Sequence, residues 1–99
     1  MTDALRIERI DANQVRVAGR LGFAEAAAAL ARSEGVIGAG AREVEVDVSA
    51  LAAIDSATLA VLLAWAARAR AGGVVLHFGA IPADLAALMH LCDTEPLLV

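Results

Sequence analysis

The sequence predicts an α/β domain of order ββαβαβα, a mixed, mostly parallel four-stranded sheet with its helices mainly on one face. Three observations carry this. Short strand-like segments alternate with helical patterns, which implies crossover connections and parallel pairing. Within the strands the hydropathy alternates strictly, as in Glu43-Val44-Glu45-Val46-Asp47-Val48, so one sheet face is covered and the other largely open. The chain's 99 residues, 60 % of them hydrophobic, fit one small domain with one core over residues 1–99.

Leu5 to Ile10 reads as a first strand and Gln14 to Ala18 as a second. Asp11-Ala12-Asn13 between them has turn chemistry, so the two pair as a hairpin and give the sheet an antiparallel edge. Gly19 to Gly22 is a break. Phe23, Ala26, Ala27, Leu30 and Ala31 then recur at helical spacing. This helix is expected to end near Ser33, with Gly35 as a left-handed terminator and Val36 to Ala41 as a loop. The third strand runs from Glu43 to Val48, and Ser49 to Ile54 is a connection. Asp55 or Ser56 caps the longest helix, which continues to about Ala71 and stops at Gly72-Gly73. Val74 to Phe78 is a short strand, with Val74, Leu76 and Phe78 on one side and Val75 and His77 on the other. Pro82 suits the first turn of a third helix, whose apolar stripe is Leu85, Leu88, Met89 and Cys92. The short apolar tail Glu95-Pro96-Leu97-Leu98-Val99 is expected to dock on the body. On the open sheet face Arg16 and Glu45 are expected to form a cross-strand pair.

Composition removes several functions. A net charge of −4, with arginine as the sole basic residue type, argues against a nucleic-acid partner, which needs a basic face. The glycines form no phosphate loop and there is no lysine, so the chain is not an ATPase. The longest apolar run, Ala57 to Ala67, is about half the roughly 20 residues of a membrane span, so no direct membrane insertion is expected. Alanine supplies about a quarter of the chain, so much of the apolar content is small side chains. The N-terminus has no basic stretch followed by an apolar run, and the single cysteine, Cys92, has no partner for an intrachain disulfide. A cytoplasmic location follows.

Two places hold candidate functional residues. The third strand delivers Asp47 and Ser49 to the C-terminal edge of the sheet, where the long helix begins at Asp55-Ser56. Ligands and partners meet open α/β sheets at this edge, and the N–H groups of a helix start hold carboxylates, hydroxyls or phosphates. The bland alternative is a simple helix cap. The second place is the long helix itself. Leu59, Leu62, Leu63 and Ala66 make its core stripe, and Thr58, Val61, Trp65 and Arg68 make a second stripe about a third of a turn away. Either Trp65 packs on a neighbouring helix, or Thr58, Val61 and Trp65 belong to an exposed docking surface, where tryptophan is enriched. His90, Cys92 and Asp93 lack a second cluster at ligand spacing, so no metal is expected. Neither histidine lies in a recognisable triad motif with a serine. No cofactor and no enzymatic activity are expected.

The run Asp47-x-Ser49-x-Leu51-x-x-Ile54-Asp55-Ser56, followed by Leu59-Ala60-x-Leu62-Leu63, resembles a STAS domain. This family is shared by anti-sigma factor antagonists and the cytoplasmic tails of sulfate transporters. The resemblance extends from about Val15 to Leu98. A narrower likeness lies in Gly73-Val74-Val75-Leu76-His77-Phe78, Ile81-Pro82-Ala83-Asp84-Leu85 and Leu88-Met89-His90-Leu91, which resemble the small STAS subunit of the bacterial Mla phospholipid ABC transporter. It implies a non-enzymatic subunit that binds and supports the transporter ATPase, peripheral to the inner membrane, with Ser56 as a partner contact. The alternative it leaves open is an anti-sigma factor antagonist that binds an anti-sigma factor kinase. In those antagonists the motif reads Asp-Ser-Ser-Gly and the second hydroxyl is phosphorylated; here that position is Ala57, and Thr58 replaces the glycine. The partner-binding residues expected are therefore Asp55, Ser56, Thr58, Val61 and Trp65.

Overall fold

Alternating valines organise the sheet. The computed structural model describes residues 4–38, 40–52 and 54–92. In it β1 (Arg6–Asp11), β2 (Gln14–Arg20), β3 (Glu43–Ala52) and β4 (Val75–Gly79) lie in the order β1-β2-β3-β4. β1 and β2 pair antiparallel, whereas β2–β3 and β3–β4 are parallel. The hairpin turn is held by the Asp11 carboxylate, which accepts the Asn13 amide at 2.8 Å. Val15, Val17, Val44, Val46, Val48, Leu76 and Phe78 are buried on the covered face. Gln14, Arg16, Glu43, Glu45 and His77 alternate with them and are exposed. On that open face Arg16 sits opposite Asp47, 3.7 Å from its carboxylate, and not opposite Glu45, because the parallel register pairs Gln14 with Glu45 and Arg16 with Asp47.

The helices are α1 (Ala26–Ala31), α2 (Ser33–Ile37), α3 (Ser56–Ala71) and α4 (Ala83–Leu91), with a turn of 3-10 helix at Phe23–Glu25 before α1. The expected first helix is thus divided. Arg32 leaves helical geometry (φ −100°, ψ 19°). The Leu30 carbonyl there is taken by side chains: Ser33 Oγ donates to it at 2.6 Å and Arg68 Nη1 at 2.8 Å. Gly35 lies inside α2 and terminates nothing, and Val36, expected in a loop, is fully buried. Arg9 in β1 donates to the carbonyls of Gly35 and Val36, closing the end of α2 against the sheet. The end of α3 matches expectation. Gly73 takes a positive φ of 80°, and the amides of Gly73 and Val74 return to the carbonyls of Arg70 and Ala69.

Two further expectations change. β3 runs on to Ala52, where a connection was expected. A bulge between Asp47 and Ala50 absorbs one residue, after which pairing with β2 resumes from Ala18–Ala50 to Arg20–Ala52. Pro82 is the residue before α4 instead of its first turn, and Cys92, expected on the apolar stripe, is exposed because α4 has ended at Leu91. The apolar tail Glu95–Val99 lies outside the described residues. Leu59, Leu62, Trp65 and Ala69 from α3, with Leu85 and Met89 from α4, complete the core over the sheet.

Candidate functional site

Because β2 and β3 end together at Arg20 and Ala52, the segments that follow them meet at one edge of the sheet. From β3 the chain passes into α3 at Asp55. The Asp55 backbone is extended, and Oδ1 accepts the amides of Ala57 at 2.8 Å and Thr58 at 3.2 Å. Its second oxygen, Oδ2, accepts the amide of Phe23 at 3.1 Å. One carboxylate therefore starts α3 and also holds the turn that follows β2. Desolvation acts to raise the Asp55 pKa, but the amides of Phe23, Thr58 and Ala57 outweigh it and bring the carboxyl below its ordinary 3.8.

Thr58 completes the clamp. Its hydroxyl donates to the Leu21 carbonyl at 2.6 Å and accepts the Asp55 amide at 3.0 Å. Asp55 and Thr58 thus cap each other reciprocally, and Thr58 ties the first turn of α3 to the chain leaving β2. Ser56 is the first helical residue. It is exposed, and its hydroxyl makes no hydrogen bond among the described residues. The capping reading therefore belongs to Asp55 and not to Ser56. Asp47 and Ser49 stand further back along β3. The Ser49 hydroxyl and amide donate to the Asp47 carboxylate and, with Arg16 nearby, lower its pKa from 3.8.

The second stripe of α3 is not a surface. Thr58, Val61 and Trp65 are all buried, with Trp65 at 0 % exposure. The indole Nε1–H donates to the Ala29 carbonyl at 3.1 Å, and Arg68 donates to Leu30 and to Ser33 Oγ, each at 2.8 Å. These side chains close the carbonyl end of α1, which fixes α3 against it. The expected exposed docking surface of Thr58, Val61 and Trp65 is corrected on this ground: the packing reading of Trp65 is the one observed. Of the residues expected to meet a partner, Asp55 and Ser56 alone reach the surface.

One exposed residue at this edge was missed. Phe23, expected to begin a helical core stripe, is 85 % exposed. It opens the 3-10 turn, so its ring projects away from the core. The buried positions of α1 and its flanks are Ala29, Ser33 and, in part, Ala26 and Leu30. That spacing was legible, but Ala26–Ala29 is apolar all round and gives no phase.

Comparison with known proteins turns this geometry into a family. The sequence profile described as "Mlab, STAS domain" matches residues 6–99. The chain belongs to the STAS family. The STAS domain is also similar in structure to the anti-sigma factor antagonist SpoIIAA in its unphosphorylated form. The TM-score is 0.73 at 13 % sequence identity, covering 97 % of this chain and 86 % of that one. At such identity the likeness establishes the shared fold. No match is found among curated proteins. STAS domains are generally non-enzymatic regulatory or accessory domains that interact with other proteins. Among the described residues no three His, Cys, Asp or Glu side chains group as metal ligands would, and no helix is long and apolar enough to cross a membrane. His77 lies on the open sheet face with Nε2 2.9 Å from Glu43 Oε1.

Proposed function

We propose that this STAS domain is a non-enzymatic accessory subunit that binds and supports the ATPase of an Mla-type phospholipid ABC transporter. It works in the cytoplasm, peripheral to the inner membrane through that partner, and docks by the sheet edge at Asp55 and Ser56. The observation that carries the reading is the Mlab description of the profile matched over residues 6–99. The first turn of α3 supports it. Ser56 offers a hydroxyl that the helix does not use, beside a carboxylate that keeps its charge. Ala57 presents a methyl group where a phosphorylated antagonist needs a second hydroxyl, which favours a constitutive subunit over a phosphorylation-controlled one.

Affinity purification with a tagged chain tests the reading. Recovery of a transporter ATPase is the expected result. Recovery of an anti-sigma factor kinase with no ATPase would replace it by the antagonist role suggested by the likeness to SpoIIAA. Ser56→Glu places a fixed charge at the docking edge and is expected to lower capture of the ATPase about tenfold or more. Unchanged affinity in that variant would remove Ser56 from the interface.

A further inference from the structure

We infer that Phe23 is the anchor of this docking edge: its ring enters an apolar socket on the partner ATPase, beside the contact made by Asp55 and Ser56. The inference rests on the proposed function and adds a residue and a chemistry to it. Of the chain's three aromatic residues, Trp65 and Phe78 are buried, while Phe23 stands 85 % in water. The chain holds it there. The Phe23 amide is bonded to Asp55 Oδ2, so the backbone that carries the ring is tied to the start of α3.

The turn beneath is closed on both sides. The Glu25 amide donates to the Gly22 carbonyl at 3.0 Å, and the Gly22 amide donates to Glu25 Oε1 at 2.9 Å. Arg20 lies 3.9 Å from the other Glu25 oxygen. Leu21 and Gly22, directly before Phe23, are buried. The backbone that carries the ring is thus ordered before any partner arrives. With the backbone already in place, binding has only the two side-chain torsions of the ring to fix, and a phenyl ring brings a large apolar area to an interface.

The charges around the ring define the partner's chemistry. Arg20 and Glu25 answer each other. Asp55 has no ion-pair partner among the described residues, and its carboxyl is held ionised by amide bonds. A complementary surface therefore has an apolar socket of phenyl size, flanked by hydrogen-bond donors or a basic side chain facing Asp55 and Ser56. A lipid surface lacks such a socket. A second copy of this chain would have to meet the same negative edge with its own.

The test measures binding of the purified ATPase subunit to the wild type, Phe23→Ala, Phe23→Leu, Ser56→Glu and Ile10→Ala. Ile10 is an exposed apolar control in β1, where the antiparallel register (Arg9 with Val15, Asp11 with Gln14) sets it beside the start of β2, at the opposite end of the strands from Phe23. Phe23→Ala is expected to weaken binding about tenfold or more. Phe23→Leu retains most of the affinity, and Ile10→Ala leaves it unchanged. Thermal midpoints of both Phe23 variants stay at the wild-type value, because the ring touches no core. If Phe23→Ala binds like the wild type while Ser56→Glu does not, the inference falls and the docking edge stands. If the wild type itself fails to bind, the proposed function falls and the inference with it. Self-association of the wild type that Phe23→Ala abolishes would assign the ring to a second copy and overturn the assignment to the ATPase.

Discussion

The first turn of α3 and the two turns that follow it differ in kind. At the first turn Asp55 and Ser56 face water. The carboxylate is spent on amides from two segments, and the serine hydroxyl is spent on nothing. From Thr58, at the inner side of that first turn, and on through the next two turns, Thr58, Val61, Leu62 and Trp65 are buried, and both polar groups among them are satisfied by carbonyls of the chain. A helix of this kind separates two tasks along its length: the buried turns set where the helix lies, and the exposed turn presents chemistry at the sheet edge. Substitutions in the two regions are therefore expected to change different observables, stability in one and partner affinity in the other.

The sharpest test of that separation is Trp65→Ala. It empties the largest fully buried side chain and leaves the Ala29 carbonyl without its donor. A loss of about 3–5 kcal/mol is expected in chemical denaturation, a large share of the roughly 5–15 kcal/mol that holds a small domain together. A marginal loss would mean that the turns are less buried than the fold shows. Thr58→Val comes next. It keeps the shape and removes a hydroxyl that serves Leu21 and Asp55, so about 1–3 kcal/mol is expected from the stranded polar groups.

Asp55 sits at the boundary and is expected to show both behaviours. Asp55→Ala lowers the thermal midpoint by about 5 °C, and it also releases the Phe23 amide. The acid side of the stability curve carries the same signature. Asp47 and Asp55 both titrate below 3.8 in the folded chain. Between that folded value and 3.8 the unfolded chain binds more protons. The stabilisation is therefore complete above the unfolded pKa and is lost as pH falls through the folded one. Denaturation midpoints are expected to fall below about pH 4, and to fall less steeply in Asp55→Asn. Ser56→Ala has the smallest expected effect on stability, within about 0.5 kcal/mol. A larger loss would make Ser56 part of the fold after all.

Strand alternation made most of this fold readable. Val44, Val46 and Val48 against Glu43, Glu45 and Asp47 established which face is covered, and the hairpin and the glycine stop of α3 followed from local chemistry. β3 beyond Val48 was unreadable because a bulge breaks the period at the point where Ser49-Ala50 already looks like a loop. The division between α1 and α2 depends on Arg68, thirty-odd residues away in the chain, and no local pattern reports it. The candidate site was half legible. Asp55 and Ser56 announce a helix start wherever they occur, whereas the direction of Trp65 depends on finding the Ala29 carbonyl within reach. Phe23 was lost among alanines that give a helix no preferred face.

The burial of Trp65 has a spectroscopic consequence. The chain has one tryptophan and no tyrosine, so its near-ultraviolet emission comes from a single indole in a dry site. That indole reports the seam between α1 and α3, where its N–H meets the Ala29 carbonyl, ten residues along the chain from Asp55. Unfolding is expected to shift the emission to longer wavelength. Docking of a partner at the sheet edge is expected to leave it unchanged, so a spectral shift on complex formation would reveal that binding reaches through α3 into the core.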